Sequence, residues 1–190
     1  MKTPSSFSGY LSAHARLHAS LDARAFQTGI DLIQAAFERG NQIFTCGNGG
    51  SAHTASHYVT DWNNAISSAT GMRFRGRSLS DNSGIVTALA NDSTFTEIFS
   101  GQLAALLDPN DLLIAISGSG NSPNVVRAVE YANEAGAETL AVVGYDGGQL
   151  KRVAKQAVWV PSFDMQLCED IHLMFGHMVM KALSGTYIDD

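Results

Sequence analysis

Two glycine- and serine-rich segments carry residue types suited to holding an anion. Cys46-Gly47-Asn48-Gly49-Gly50-Ser51 follows the apolar run Gln42-Ile43-Phe44-Thr45-Cys46 and precedes a stretch of helical character beginning near Ser51. Glycines let backbone N–H groups approach an anion closely, and a helix N-terminus adds partial positive charge, so the segment reads as a phosphate cradle. No lysine follows the glycines as in a Walker loop, and the spacing is not the dinucleotide fingerprint. An ordinary glycine-rich turn is the competing reading. Ser117-Gly118-Ser119-Gly120-Asn121-Ser122 repeats the arrangement after a second apolar run. Its three hydroxyls and backbone N–H groups suit phosphate oxygens. Loops that follow strands of one parallel sheet open onto one edge, where open α/β sheets bind ligands, so both can serve one phosphorylated molecule.

A second set of residues could move protons or bind a cation. His53, His57 and Asp61 recur every four residues after the first loop. Residues four apart share a helix face, so His57 and Asp61 can hold a metal together or act as acid and base; a merely polar face is the alternative. Near the end, Glu169-Asp170-Ile171-His172-Leu173-Met174-Phe175-Gly176-His177 places ionisable groups in an apolar helix. Burying them without partners costs several kcal/mol, so they are expected to face one another, a metal or a ligand, with His172 a structural histidine. His14 and His18 have no anion loop beside them and read as ordinary helix surface.

The elements that must position these groups follow from hydrophobic spacing. Leu11 to Arg39 shows three-and-four periodicity and ends at Gly40, which predicts a helical hairpin or broken helix. Strand-length runs then alternate with helical stretches: 42–46, 77–79, 111–116, 139–143 and 157–160. Such runs suit strands buried on both faces of a parallel sheet with crossover helices. A stripe from Leu167 to Leu183 predicts a C-terminal helix over Met165 to Leu183. The expected fold is α/β: a single domain with a central five-stranded parallel sheet flanked by helices. Residues 1–40 form an N-terminal helical extension and 41–190 the ligand-binding unit. Fraying is expected before Leu11 and after Leu183.

Composition narrows the function. With 190 residues, 45% of them hydrophobic, one core can be built without splitting. A formal charge of -6 disfavours a phosphate backbone as partner, and the cluster Arg73, Arg75, Arg77 is short enough to be a wet or subunit-contacting face. Nucleic acid is therefore not expected. No apolar run spans a bilayer and Met1 to Ser8 lacks the layout of a secretory signal, so a cytoplasmic location is expected, with no membrane partner. Cys46 and Cys168 are expected to be buried thiols.

Taken in order from about Gln42 to Leu183, these motifs resemble the phosphoheptose isomerase branch of the sugar isomerase (SIS) family. The resemblance rests on Gly47–Ser51, His57 with an acid four residues on, Leu89-Ala90-Asn91-Asp92, Ile116–Ser122, Gly144-Tyr145-Asp146-Gly147-Gly148 and the final acid-and-His helix. It implies an SIS-type fold and an aldose–ketose isomerase that converts sedoheptulose 7-phosphate to a manno-heptose 7-phosphate through an enediol. It also implies that Asn48, Gly49, Gly50, Ser51, Asp61, Asn91, Asp92, Ser117, Gly118, Ser119, Ser122 and Glu169 bind substrate. Zinc, or another divalent metal, falls by the same resemblance on His57, Asp61, Glu169 and His177. Asp61 is the implied base and His177 the implied acid. A homotetramer bundled by the N-terminal helices is implied too. Three positions depart from the branch: Asp61 stands for a usual Glu, Glu169 for a usual Gln, and Gly118 for a frequent Thr. The departures bear on which sugar is taken, so an isomerase of another phosphosugar and a non-catalytic SIS protein that binds a sugar phosphate or a protein are the competing expectations.

Overall fold

The computed structural model describes residues 6–186. Helix α1 (Phe7–His18) starts at Ser6, whose Oγ accepts the Gly9 N–H at 3.2 Å. Helix α2 (Ala23–Glu38) starts at Asp22, whose carboxylate accepts from Arg24 and Ala25. Each cap satisfies N–H groups that a first turn leaves unpaired. The predicted hairpin is therefore two separate helices, and order begins at Phe7, before the expected Leu11. Residues 1–5 and 187–190, where further fraying was expected, lie outside the described residues.

Strands β1 (Ile43–Cys46), β2 (Gly76–Ser78), β3 (Leu112–Ser117), β4 (Glu138–Val143) and β5 (Gln156–Trp159) form one sheet in the order β2-β1-β3-β4-β5. All four pairings are parallel. The five runs read from the sequence are these strands, displaced by a residue or so at their ends. Between them lie α3 (Gly50–Asp61), α4 (Ser67–Thr70), α5 (Ser83–Asp92), α6 (Ser100–Leu106), α7 (Pro123–Glu134) and α8 (Leu150–Val153), and α9 (Met165–Ser184) follows the last strand. The expected architecture, a five-stranded parallel sheet with helices on both faces, is the one observed.

Alternation along the strands divides the core in two. Leu112, Ile114 and Ile116 of β3 and Leu140 and Val142 of β4 face one cluster, which α1, α2, α3 and α9 close. Leu113, Ala115, Ala141 and Val143 face the other, closed by α6 and α7. Leu17, Ile30 and Ile33 are buried in the first cluster, so much of the N-terminal apolar stripe packs against the chain's own core. Phe7 and Leu11, at the start of α1, remain 80% and 51% exposed.

Candidate active site

Strand β1 delivers the first loop to the sheet's carboxyl edge. Gly49 sits at φ 54 and ψ -121, a backbone conformation that only glycine adopts without strain, and the turn it makes starts α3. Neither N-cap residue, Gly49 of α3 or Ser122 of α7, makes a side-chain capping bond, although in α7 Asn124 Oδ1 accepts the Val125 N–H at 3.0 Å. Two twelve-residue helices thus present their N-termini to one place, an anion site in the making. The loops are tied together by a reciprocal amide pair: Asn48 donates to Asn124 at 2.8 Å and Asn124 donates back at 2.9 Å. Within the second loop Ser117 Oγ accepts the Gly120 N–H at 3.1 Å. The turn at 144–149 braces that loop, with Gly144 N–H donating to Gly118 O and Leu150 N–H to Gly120 O.

Between the loops lies a recess of about 120 Å³. Asn48, Ser51, Ser117, Gly118, Ser119 and Ser122, all read from the sequence as substrate contacts, line it together with Glu169. Glu169 reaches it from α9, its carboxylate lying over the bare Cα of Gly50, where a side chain would collide with it. Gly49 and Gly50, also read as substrate contacts, are not among the residues that line the recess. Asn91 and Asp92 are not brought there: they are exposed at the end of α5 and bonded to one another at 2.8 Å. Two further residues of this site escaped sequence reading. Asn124 was legible only as one more polar residue at a helix start, and Met165, which also lines the recess, as the first residue of an apolar stripe.

The ionisable cluster forms where α3 crosses α9. His57 Nε2 lies 3.0 Å from His177 Nε2 and 3.2 Å from Asp61 Oδ2, and His177 Nε2 lies 3.9 Å from the same oxygen. Zinc–nitrogen bonds of 2.0–2.1 Å place tetrahedral donors about 3.3 Å apart, so the three spacings fit a divalent cation. The chemistry of the donors agrees. Two imidazole nitrogens in contact require one to carry the proton and one to be bare, or both to be bare around a cation. Asp61 is 28% exposed, and His57 and His177 are 43% and 46% exposed, so the cluster is open to ligands. His53, exposed on α3, is not part of it, and neither is Glu169. Glu169 and His177 stand eight residues apart on α9, about 12 Å of helix rise.

The crossing is held closely by side chain to main chain bonds. Trp62 Nε1 donates to Gly176 O at 2.9 Å, and the Tyr58 hydroxyl donates to His172 O. Trp62 opens a π-helical turn, Trp62–Ile66, directly after Asp61. Such turns are frequent at functional sites because the extra residue re-aims the side chains around it.

The acid-rich helix resolves into separate roles. Asp170 points away from the recess and binds α1: the Tyr10 hydroxyl donates to its Oδ2 and His14 Nε2 lies 2.8 Å from it. His14 is therefore not ordinary helix surface as expected; its side chain is 19% exposed in a tie between α1 and α9. His172 is buried, and neither ring nitrogen makes a hydrogen bond of normal geometry. Burial pushes its pKa down to about 4 from the ordinary 6.5, opposed weakly by the Val143 backbone. The unfolded chain then takes up this proton near pH 6.5 and the folded chain only near pH 4. Stability is thus unaffected by His172 above that window and falls through it as the pH drops, by on the order of 3 kcal/mol in full. Denaturant titrations of wild type and His172→Phe across this range should show that extra loss in the wild type alone. Both cysteines are buried, and Cys46 is pushed up to about 12 by burial.

A model of the SIS domain matches residues 9–144, well over half of the chain. The chain belongs to the SIS domain family. Among its relatives, the phosphoheptose isomerase of Citrifermentans bemidjiense is 35% identical over 172 residues, covering 89% of each chain. That of Trichlorobacter lovleyi is 36% identical over 177 residues, covering 90% of this chain and 86% of the relative. The solved phosphoheptose isomerase of Neisseria gonorrhoeae superposes with a TM-score of 0.86 at 26% identity, covering 94% of this chain and 97% of that one. At 94% of this chain, the structural match covers more than the SIS domain model does. Among the described residues, no helix is long and apolar enough to cross a membrane.

Proposed function

We propose that this SIS domain protein is an aldose–ketose isomerase that converts sedoheptulose 7-phosphate to a manno-heptose 7-phosphate. The carrying observation is that α3 and α9, the two helices bordering the anion recess, also hold the acid–base cluster His57, Asp61 and His177. The phosphate sits between the loops, with Ser51, Ser117, Ser119 and Ser122 supplying hydroxyls and the N-terminus of α3 supplying N–H groups; in α7 Pro123 has no N–H and those of Val125 and Val126 are already bonded, so that helix adds mainly its dipole. Asp61 removes a proton from C1 of the ketose while His177 protonates the C2 carbonyl oxygen, which gives the enediol. Return of a proton to C2 and loss of the O1 proton give the aldose. His57 lies within 3.2 Å of Asp61 and orients its carboxylate. Glu169 places a carboxylate in the lining of the recess, where sugar hydroxyls near the phosphate can donate to it. His57, Asp61 and His177 would hold zinc in the resting protein, where it would polarise the carbonyl; a carboxylate or imidazole held on a metal is a poor proton carrier, so Asp61 and His177 take their acid–base roles once substrate has rearranged the site. Glu169, two turns away, stands outside that ligand set in a single chain, and Asn91 and Asp92 join the site only if a neighbouring chain faces them.

Assembly as a homotetramer is part of the proposal, with residues 1–40 at the interface; the exposed Phe7 and Leu11 on α1 support it. A cytoplasmic location accords with a phosphorylated metabolite as substrate. The reaction is tested by following the aldose by NMR after adding sedoheptulose 7-phosphate. Treatment with a strong chelator is expected to abolish conversion, and zinc to restore it. Full activity of demonstrably metal-free protein would remove the metal from the reading. Absence of conversion by zinc-loaded protein would remove the reaction.

A further inference from the structure

Hydroxyls, amides and the Glu169 carboxylate line most of the recess; Ile116, near the end of β3, is apolar, and from α9 Met165 supplies an apolar thioether wall. This side chain is seated where Gly118 has none: a Cβ at position 118 would overlap Met165 Sδ and lie 3.1 Å from its Cε. Gly118 itself is buried, at the base of the serine loop. Met165 is the first residue of α9, held there by the Asp164 carboxylate, which accepts from Gln166 at 3.1 Å and Leu167 at 3.3 Å. The thioether is therefore delivered to the recess by a capped helix start, one turn before Glu169.

Size gives the wall its meaning. At about 120 Å³ the recess is far below the roughly 300 Å³ at which pockets for whole small molecules begin. It holds one end of a ligand. If that end is a phosphate on the serine loops, the next atoms outward are the ester oxygen and the carbon that bears it. A thioether cannot donate a hydrogen bond and is a weak acceptor. A methylene against it gains by leaving water, whereas a hydroxyl-bearing or branched carbon there would lose hydrogen bonds to water and regain none.

We propose that Met165, seated over the bare Cα of Gly118, is a specificity-determining residue that selects ligands whose phosphate is carried on an unbranched methylene, that is, primary phosphate esters. The inference rests on the reading of the recess as the phosphate site and adds which phosphates it accepts.

The probes are inorganic phosphate and ethyl phosphate, both as dianions, titrated calorimetrically into folded, zinc-loaded protein. Wild type is expected to bind ethyl phosphate at least about fourfold more tightly than inorganic phosphate, the gain from one buried methylene. In Met165→Ala the ratio should fall to near one with little change in inorganic phosphate binding, and KM for sedoheptulose 7-phosphate should rise with kcat held. Met165→Leu keeps an apolar wall and should keep the ratio. Gly118→Ala displaces the thioether and should lower the ratio as Met165→Ala does, and the double variant should be no worse than either single, because the two residues form one unit. The proposal is overturned if Met165→Ala retains the wild-type ratio or weakens both phosphates alike, if Met165→Leu behaves as alanine, or if Gly118→Ala leaves the ratio intact. A preserved pattern of ratios with no heptose turnover would sink the proposed reaction and leave the role of Met165 standing. Failure of folded wild type to bind either phosphate would sink both.

Discussion

His177→Gln and Asp61→Asn are each expected to lower kcat by roughly 10²- to 10⁴-fold, the range for loss of a positioned acid or base. The geometry makes the loss specific. His177 and Asp61 come from different helices; His57 lies between them at 3.0 and 3.2 Å, and they approach one another directly at 3.9 Å. Glutamine cannot cycle a proton near neutral pH, and asparagine cannot accept one. Neither substitution empties a buried space, since both side chains are partly exposed, so stability should stay within about 0.5 kcal/mol of wild type. Binding of inorganic phosphate at the recess, about 12 Å away by helix rise, should also be unchanged. Steady-state kinetics, thermal melts and phosphate titration on the same preparations check all three. A variant that keeps more than a tenth of wild-type kcat would take its residue out of the proton-transfer role.

Gly176→Ala is expected to damage fold and catalysis together. A Cβ at 176 would overlap Cδ1 and Cε1 of the Tyr58 ring. Tyr58 cannot yield, because its ring is buried, stacks on Trp62 with centroids 4.7 Å apart, and is anchored through its hydroxyl to His172 O. The strain must instead move α9 away from α3. Overpacking of this kind costs about 1–3 kcal/mol. The same movement carries His177, the next residue, away from His57 and Asp61, and a displacement near 1 Å can cost about 10²-fold in rate. Denaturant unfolding should show the first effect and kcat the second. An alanine variant with wild-type stability and activity would show that the helices do not meet as closely as described.

The centre of the sheet was legible because β1, β3 and β4 are short apolar runs, and parallel strands buried on both faces need no finer pattern. The anion loops were legible for a similar reason: glycine and serine at a strand-to-helix junction have few other uses. Crossings between helices distant in sequence were not legible. The pairing of His57 and Asp61 followed from four-residue spacing within α3, but no periodicity says that His177 lies over them, since that depends on Gly176 admitting Tyr58. The resemblance supplied His177 to the cluster, and Glu169 with it. The fold keeps Glu169 at the recess because eight residues of helix separate it from His177. Asp170 and His14 were misread for the same reason: a polar residue on a helix carries no mark of the partner waiting on another helix. Met165 was hidden because its position depends on the absence of a side chain at Gly118, nearly fifty residues away.

The most direct test of the central claim is hydrogen exchange into sedoheptulose 7-phosphate in deuterated water, read by proton NMR with zinc-loaded protein. A base at Asp61 that removes a C1 proton to an enediol predicts the appearance of an aldose signal together with protein-dependent loss of one C1 proton signal, both missing with Asp61→Asn. An unchanged C1 signal and no aldose, under conditions where the sugar phosphate is bound, would contradict the isomerase reading.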